Sequence, residues 1–153
     1  MRSLILYSLV VVMCSLWPNA SQAQLTTIQP LDFGEFMSRN NDAQYTLTVN
    51  AAGSYSFDAT GFIEISPPQP GIYDIGGFAP NAAISSLTVA QDTPLGGVGL
   101  VFQMISFDEI HPPTTDGAGV ARIQIGATLQ TSGSGMPYGD ALYNGSVDVT
   151  INF

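Results

Sequence analysis

Apolar and polar residues alternate with period two along much of the chain, the pattern of half-buried strands whose successive side chains point to opposite faces. Tyr45, Leu47 and Val49 alternate with Gln44, Thr46, Thr48 and Asn50. Ala51-Ala52-Gly53-Ser54 then reads as a turn into Tyr55, Phe57 and Ala59, which predicts a hairpin. Ile63 and Ile65 alternate with Glu64 and Ser66 until Pro67, Pro68 and Pro70 remove the ladder donors, and Tyr73 and Ile75 resume the pattern. Ile84 to Val89 is strand-like with a change of phase between Ile84 and Leu87, which predicts a bulge. Val98 to Phe107 is an almost unbroken apolar run. Its flanking glycines and its β-branched and aromatic content favour one central strand covered on both faces over a helix. Asp108 to Gly119 has the composition of a loop. Ala121, Ile123, Ile125, Ala127 and Leu129 alternate with polar or small neighbours, and Thr131 to Pro137 turns the chain. Val147, Val149, Ile151 and Phe153 then alternate with Ser146, Asp148, Thr150 and Asn152 up to the last residue. About seven to nine short antiparallel strands with Gly and Pro turns, no helical periodicity and no repeat of fixed period predict an all-β sandwich.

The first residues follow a different rule. Arg2 precedes an apolar run from Leu4 to Trp17, shorter than the about 20 residues of a membrane span, and Ser21-Gln22-Ala23 puts small residues three and one before a cut. This predicts a secretory signal peptide over residues 1–23 and a single domain over 24–153. Cleavage removes Arg2, Cys14 and Trp17 and leaves 130 residues with two arginines against twelve acids, a net charge of −10 and no stable membrane span. The exported domain then holds together by its core and hydrogen bonds, without disulfides.

Charge and composition narrow the chemistry. The chain has no lysine, and its net charge of −9 excludes nucleic acid as a partner, because phosphate contacts need clustered cations. One Cys and one His leave almost no material for thiol catalysis or for a transition-metal site, so no cofactor is expected. Asp108, Glu109, His111 and Asp116 form the densest group of candidate ligands. Their spacing matches no zinc or EF-hand pattern, so a solvated acidic loop is the favoured reading, with weak calcium binding as its alternative. No Gly-x-Ser-x-Gly elbow occurs, and no carboxylate pair sits in a distinctive motif, so the chain is not read as an enzyme. Tyr45, Tyr55, Phe57, Phe62, Tyr73, Phe78, Phe102 and Phe107 fall on predicted strands and read as core, while Tyr138 and Tyr143 are candidates for surface contacts.

Specific residues carry more than the pattern. Leu31-Asp32-Phe33-Gly34, the stretch Pro70 to Asn81, Gly119 to Leu129, and Tyr143 to Phe153, in this order and spacing, resemble the bacterial family of domain of unknown function 4402. That family is similar to the spore coat protein U domain and to archaic chaperone–usher pilins. The resemblance implies an immunoglobulin-like sandwich that lacks a strand and is completed by a donated one. It also implies a periplasmic chaperone and like subunits as partners, each by strand addition, with Val147, Val149, Ile151 and Phe153 as the assembly strand. Only Gln24 to Pro30 precede Leu31, and the mature chain has no cysteine. A complete sandwich, or a terminal subunit that receives a strand without donating one, is therefore also compatible.

Two readings of function follow: an exported structural or adhesive surface protein, such as a pilin-like fibre subunit, and a monomeric secreted module that recognises glycan or protein through its loops. Both place the protein in the periplasm, at the cell surface or outside the cell. Mass spectrometry of exported material is expected to find Gln24 as the first residue; intact Met1 in the membrane fraction would contradict the signal peptide.

Overall fold

A computed structural model describes residues 23–153; apart from Ala23, the expected signal peptide lies outside the described residues. Ten strands and no helix are present among them: β1 Gln24–Gln29, β2 Glu35–Ser38, β3 Thr46–Val49, β4 Tyr55–Phe57, β5 Phe62–Ser66, β6 Gly71–Gly76, β7 Ser86–Gly96, β8 Gln103–Ile110, β9 Ala121–Gln130 and β10 Asn144–Asn152. All pairings are antiparallel. The strands form an all-β sandwich. One layer is a six-stranded sheet, and the other consists of two separate pairs, β7–β10 and β2–β5.

The six-stranded sheet is organised around β9. β8 pairs with it over 124–130, β6 over 121–125 and β3 over 127–130. A strand has two edges, so β6 and β3 lie end to end along the edge away from β8. They meet at Gly126, where the chain leaving β3 passes so close that an added Cβ would lie 2.2 Å from the Val49 carbonyl oxygen and 2.5 Å from the Ala51 nitrogen. Asp108, opposite Gly126 in the β8–β9 ladder, fastens this crossing by accepting the Ala51 N–H at 2.8 Å.

Alternation on β9 sends Ala121, Ile123, Ile125, Ala127 and Leu129 into the core, each no more than 5% exposed. Two clusters result. Ile123 and Ile125 pack with Ile75 and Leu87, and Leu129 packs with Tyr45, Leu47, Val49, Phe62, Leu95, Phe102 and Met104. Leu31 touches both. It belongs to the Leu31-Asp32-Phe33-Gly34 segment, by which the chain leaves β1 in the first layer for β2 in the second. Asp32 exchanges backbone hydrogen bonds with Gln69 at 3.0 and 2.8 Å, and its carboxylate accepts the Gly34 N–H at 2.9 Å. Gly34 has φ +77°, and a Cβ there would lie 2.4 Å from the Ser66 carbonyl oxygen, so the crossing requires glycine.

The structure departs from the sequence pattern at four places. Val98 to Phe107 is not a doubly covered central strand: residues 97–101 form a turn, β8 starts at Gln103 and lies at the sheet edge, and Val98 and Ile105 are 63% and 51% exposed. Asp108, Glu109 and Ile110 belong to β8 and not to a loop. The irregular pairing of β7 falls opposite Asn144 to Val147, with none between Ser86 and Ala90. Two further strands, β1 and β2, bring the total above the expected range. Replacing Gly126 by Ala is expected to lower stability by about 1–3 kcal/mol, the cost of forcing a methyl into a packed site; an unchanged urea midpoint would contradict the close crossing.

Candidate functional site

β10 forms because its residues alternate cleanly, and the same alternation decides its two faces. Val147, Val149 and Ile151 are half-buried, whereas Ser146, Asp148, Thr150 and Asn152 are exposed. Val147 packs against the Leu129 cluster, and Val149 and Ile151 pack against the Ile123 cluster. Along one edge the strand is held by β7, with Val149 opposite Val89 and Ile151 opposite Leu87. Polar side chains reinforce that edge. Ser146 Oγ donates to Asp92 at 2.7 Å, and Asn152 Nδ2 donates to Ser86 Oγ at 2.9 Å. Along the other edge β10 pairs with no strand among the described residues. An unpaired edge presents a row of backbone donors and acceptors that another strand can satisfy.

Incomplete cover explains the half-burial. The inner side chains of β9, flanked by strands on both edges, are nearly inaccessible, while those of β10, facing the same two clusters, retain contact with solvent. In the six-stranded sheet Leu25 of β1 lies directly across from Ile75 and so shares its inward face, yet it is 62% exposed against 7% for Ile75. Phe153 lies beyond the end of β10; it is 53% exposed and rests against Phe78 with ring centroids 4.6 Å apart. Three of the four expected assembly residues thus share a strand face, and Phe153 makes a separate contact.

The candidate acidic ligands Asp108, Glu109, His111 and Asp116 do not come together. Asp108 is bonded to Ala51, and Asp116 accepts the N–H groups of Ala118 and Val120 at 2.9 and 2.8 Å. His111 Nδ1 lies 2.9 Å from the Pro112 carbonyl oxygen. Among the described residues no three His, Cys, Asp or Glu side chains converge. An open cleft of about 500 Å³ is lined by Asp74, Asn81, Thr115, Asp116 and Arg122, among others. Three of its lining side chains are engaged within the fold: Thr115 Oγ1 donates to Ala79 O at 2.7 Å and accepts from Ala82 N, and Arg122 is bidentate to Asp74 with both bonds 2.8 Å.

Tyr138 and Tyr143, the candidates for surface contacts, belong to an aromatic cluster at one end of the sandwich. Tyr138 stacks on Phe102 with centroids 3.9 Å apart and an interplanar angle of 9°, and Tyr143 meets Phe102 edge-on at 5.0 Å. Both hydroxyls bond to the 97–101 turn, Tyr138 to Val101 O and Tyr143 to Val98 O. Their position five and ten residues after Gly133 gave no sign of this partner, which lies more than thirty residues earlier in the chain.

A family model described as "Domain of unknown function (DUF4402)" matches residues 23–153. The chain belongs to the DUF4402 family. No curated protein and no solved structure matches it. Two of the segments that carry the family likeness have structural roles in this DUF4402 chain: Leu31-Asp32-Phe33-Gly34 moves the chain between layers, and Gly119 to Leu129 is the central strand with its approach. Among the described residues no helix is long and apolar enough to cross a membrane.

Arg122 and Asp74 face each other across β9 and β6, and the hydrogen bonds from Arg122 hold the Asp74 carboxyl below the usual carboxylate range. A lowered carboxyl pKa contributes stability that is fully present above the unfolded value of about 3.9 and is lost as pH falls through the folded value. Arg122→Gln is expected to move the Asp74 titration upward, read by NMR of its carboxyl carbon; an unmoved titration would contradict the pairing.

Proposed function

We propose that this DUF4402 protein is an exported bacterial surface subunit, structural or adhesive, that assembles by accepting a strand along the free edge of β10. One observation carries the reading: among the described residues β10 has a strand partner on only one edge, and its inner residues Val147, Val149 and Ile151 sit over both core clusters only partly covered. An added strand would satisfy the backbone edge and bury that apolar face together, the physical basis of β-augmentation. In this reading a periplasmic chaperone covers the edge first and a like subunit replaces it, and the protein works in the periplasm and at the cell surface. The resemblance to pilins supports the same arrangement.

A second reading is a monomeric secreted module for glycan or protein. It draws on the loops at the Phe102–Tyr138–Tyr143 end, where Val98, Met136 and Leu142 are 63%, 62% and 80% exposed. Asn41 fixes this end, donating to Met136 O at 2.7 Å and accepting from Gly133 N at 2.9 Å.

Val149→Asp and Ile151→Asp are expected to abolish assembly, whereas Asp148→Ala and Asn152→Ala on the exposed face cost no more than about 0.5 kcal/mol. Size-exclusion mass and solubility of exported protein read the result. Equal tolerance of both faces would contradict strand addition at β10, and wild-type protein that stays monomeric would favour the secreted module.

A further inference from the structure

The β2–β5 ribbon has its apolar residues on the wrong side. Directly paired residues share a face, and the pair Ser38–Phe62 faces inward with Phe62 only 3% exposed. Phe36 and Glu64 share that inner side, where Glu64 accepts a hydrogen bond from the Tyr55 hydroxyl at 3.1 Å. The pair Met37–Ile63 therefore points outward, and Ile65, at the irregularity in the ladder, joins it. They are 57%, 44% and 57% exposed. The alternation of Ile63 and Ile65 with Glu64 is present as the sequence predicts, and Phe62, also read as core, takes the inward position and leaves the two isoleucines outside. Single exposed apolar residues are ordinary, whereas three neighbours on the solvent face of one ribbon, with a carboxylate on its inner face, form a surface suited to being covered.

The charges beside this patch select its partner. Glu35 and Arg39 are exposed, lie two residues before and two after Met37, and so project to the same outer face about 13 Å apart along the strand. The ladder reaches Arg39, whose backbone N–H donates to Gly61 O at 2.8 Å. Neither charged group has an ion pair or side-chain hydrogen bond to another described residue, and the second arginine among them, Arg122, is held by Asp74. We propose that the outer face of the β2–β5 ribbon binds the same face of a second copy of this chain. A two-fold axis through Met37 and perpendicular to the strands sets β2 over β2 in reverse direction. Glu35 of each copy then meets Arg39 of the other, while Met37, Ile63 and Ile65 pack between the ribbons. An axis parallel to the strands would oppose like charges, so the charge order fixes the orientation. The apolar side chains supply the attraction and the exposed ion pairs supply the register. The contact uses neither edge of β10, so its success or failure is independent of strand addition there.

Sedimentation velocity of the purified protein at rising concentration tests the contact, because the two charge reversals complement each other. Glu35→Arg makes both flanking groups cationic, and Arg39→Glu makes both anionic. Each variant alone is expected to self-associate at least tenfold more weakly than wild type, while an equimolar mixture regains the dimer. Met37→Asp is expected to abolish it in every combination. All these positions are exposed, and thermal melting checks that each variant is folded. A wild-type chain that shows no dimer up to millimolar concentration would overturn the proposal, as would a mixture that associates no better than its separate components.

Discussion

β9 is the strand on which the rest of the sandwich depends, because it joins β8 on one edge to β6 and β3 on the other and contributes to both core clusters. Its inner face of two alanines, two isoleucines and a leucine is almost fully removed from water. Burying each of the three larger side chains is worth about 1.5–3 kcal/mol, a sum comparable with the net stability of a whole domain. Accommodating β6 and β3 on one edge requires the chain to cross at Gly126, and the crossing is tied to β8 through Asp108. A residue with the chemistry of a metal ligand is thereby explained by the architecture of the sheet.

β10 obeys the same alternation as β9 and ends differently. Both strands send every second side chain toward the same clusters, but among the described residues β10 has a partner on one edge only, and its inner face keeps contact with solvent. Edge strands in stable monomers are commonly blunted by short length, proline, bulges or charge. Asn144–Asn152 is nine residues long with one charged residue, Asp148, and its irregular register is confined to its first residues. This difference between two similar patterns is the physical ground for placing the proposed function at β10.

Much of the fold was legible in the chain wherever alternation and burial coincide: β3, β6, β9 and β10 lie where their periods place them. The Val98–Phe107 run misleads because apolar content alone does not separate a covered strand from a glycine-bracketed turn followed by an edge strand; Gly97 and Gly99 mark the turn. β1 is obscured by its bulge between Thr27 and Gln29, which sets Leu25 and Ile28 three apart, and β2 is only four residues long. On β5 the period is legible and Phe62 is core as its aromatic character suggests, but the exposure of Ile63 and Ile65 is not legible, since it follows from Phe62 holding the inward position through its ring contacts with Phe36 and Phe102. For the candidate site, the apolar face of Val147, Val149 and Ile151 is legible. The open edge is not, because it follows from which distant strands pair with β10.

Amide hydrogen exchange, resolved along the chain by mass spectrometry or NMR, tests most directly the claim that the core is closed at β9 and open at β10. In the unassembled protein the amides of residues 121–130 should exchange only with global unfolding. Those of 146–152 should split into slow amides bonded to β7 and fast ones on the free edge, the fast set becoming protected on assembly. Uniform global protection along 146–152 before assembly would contradict the account.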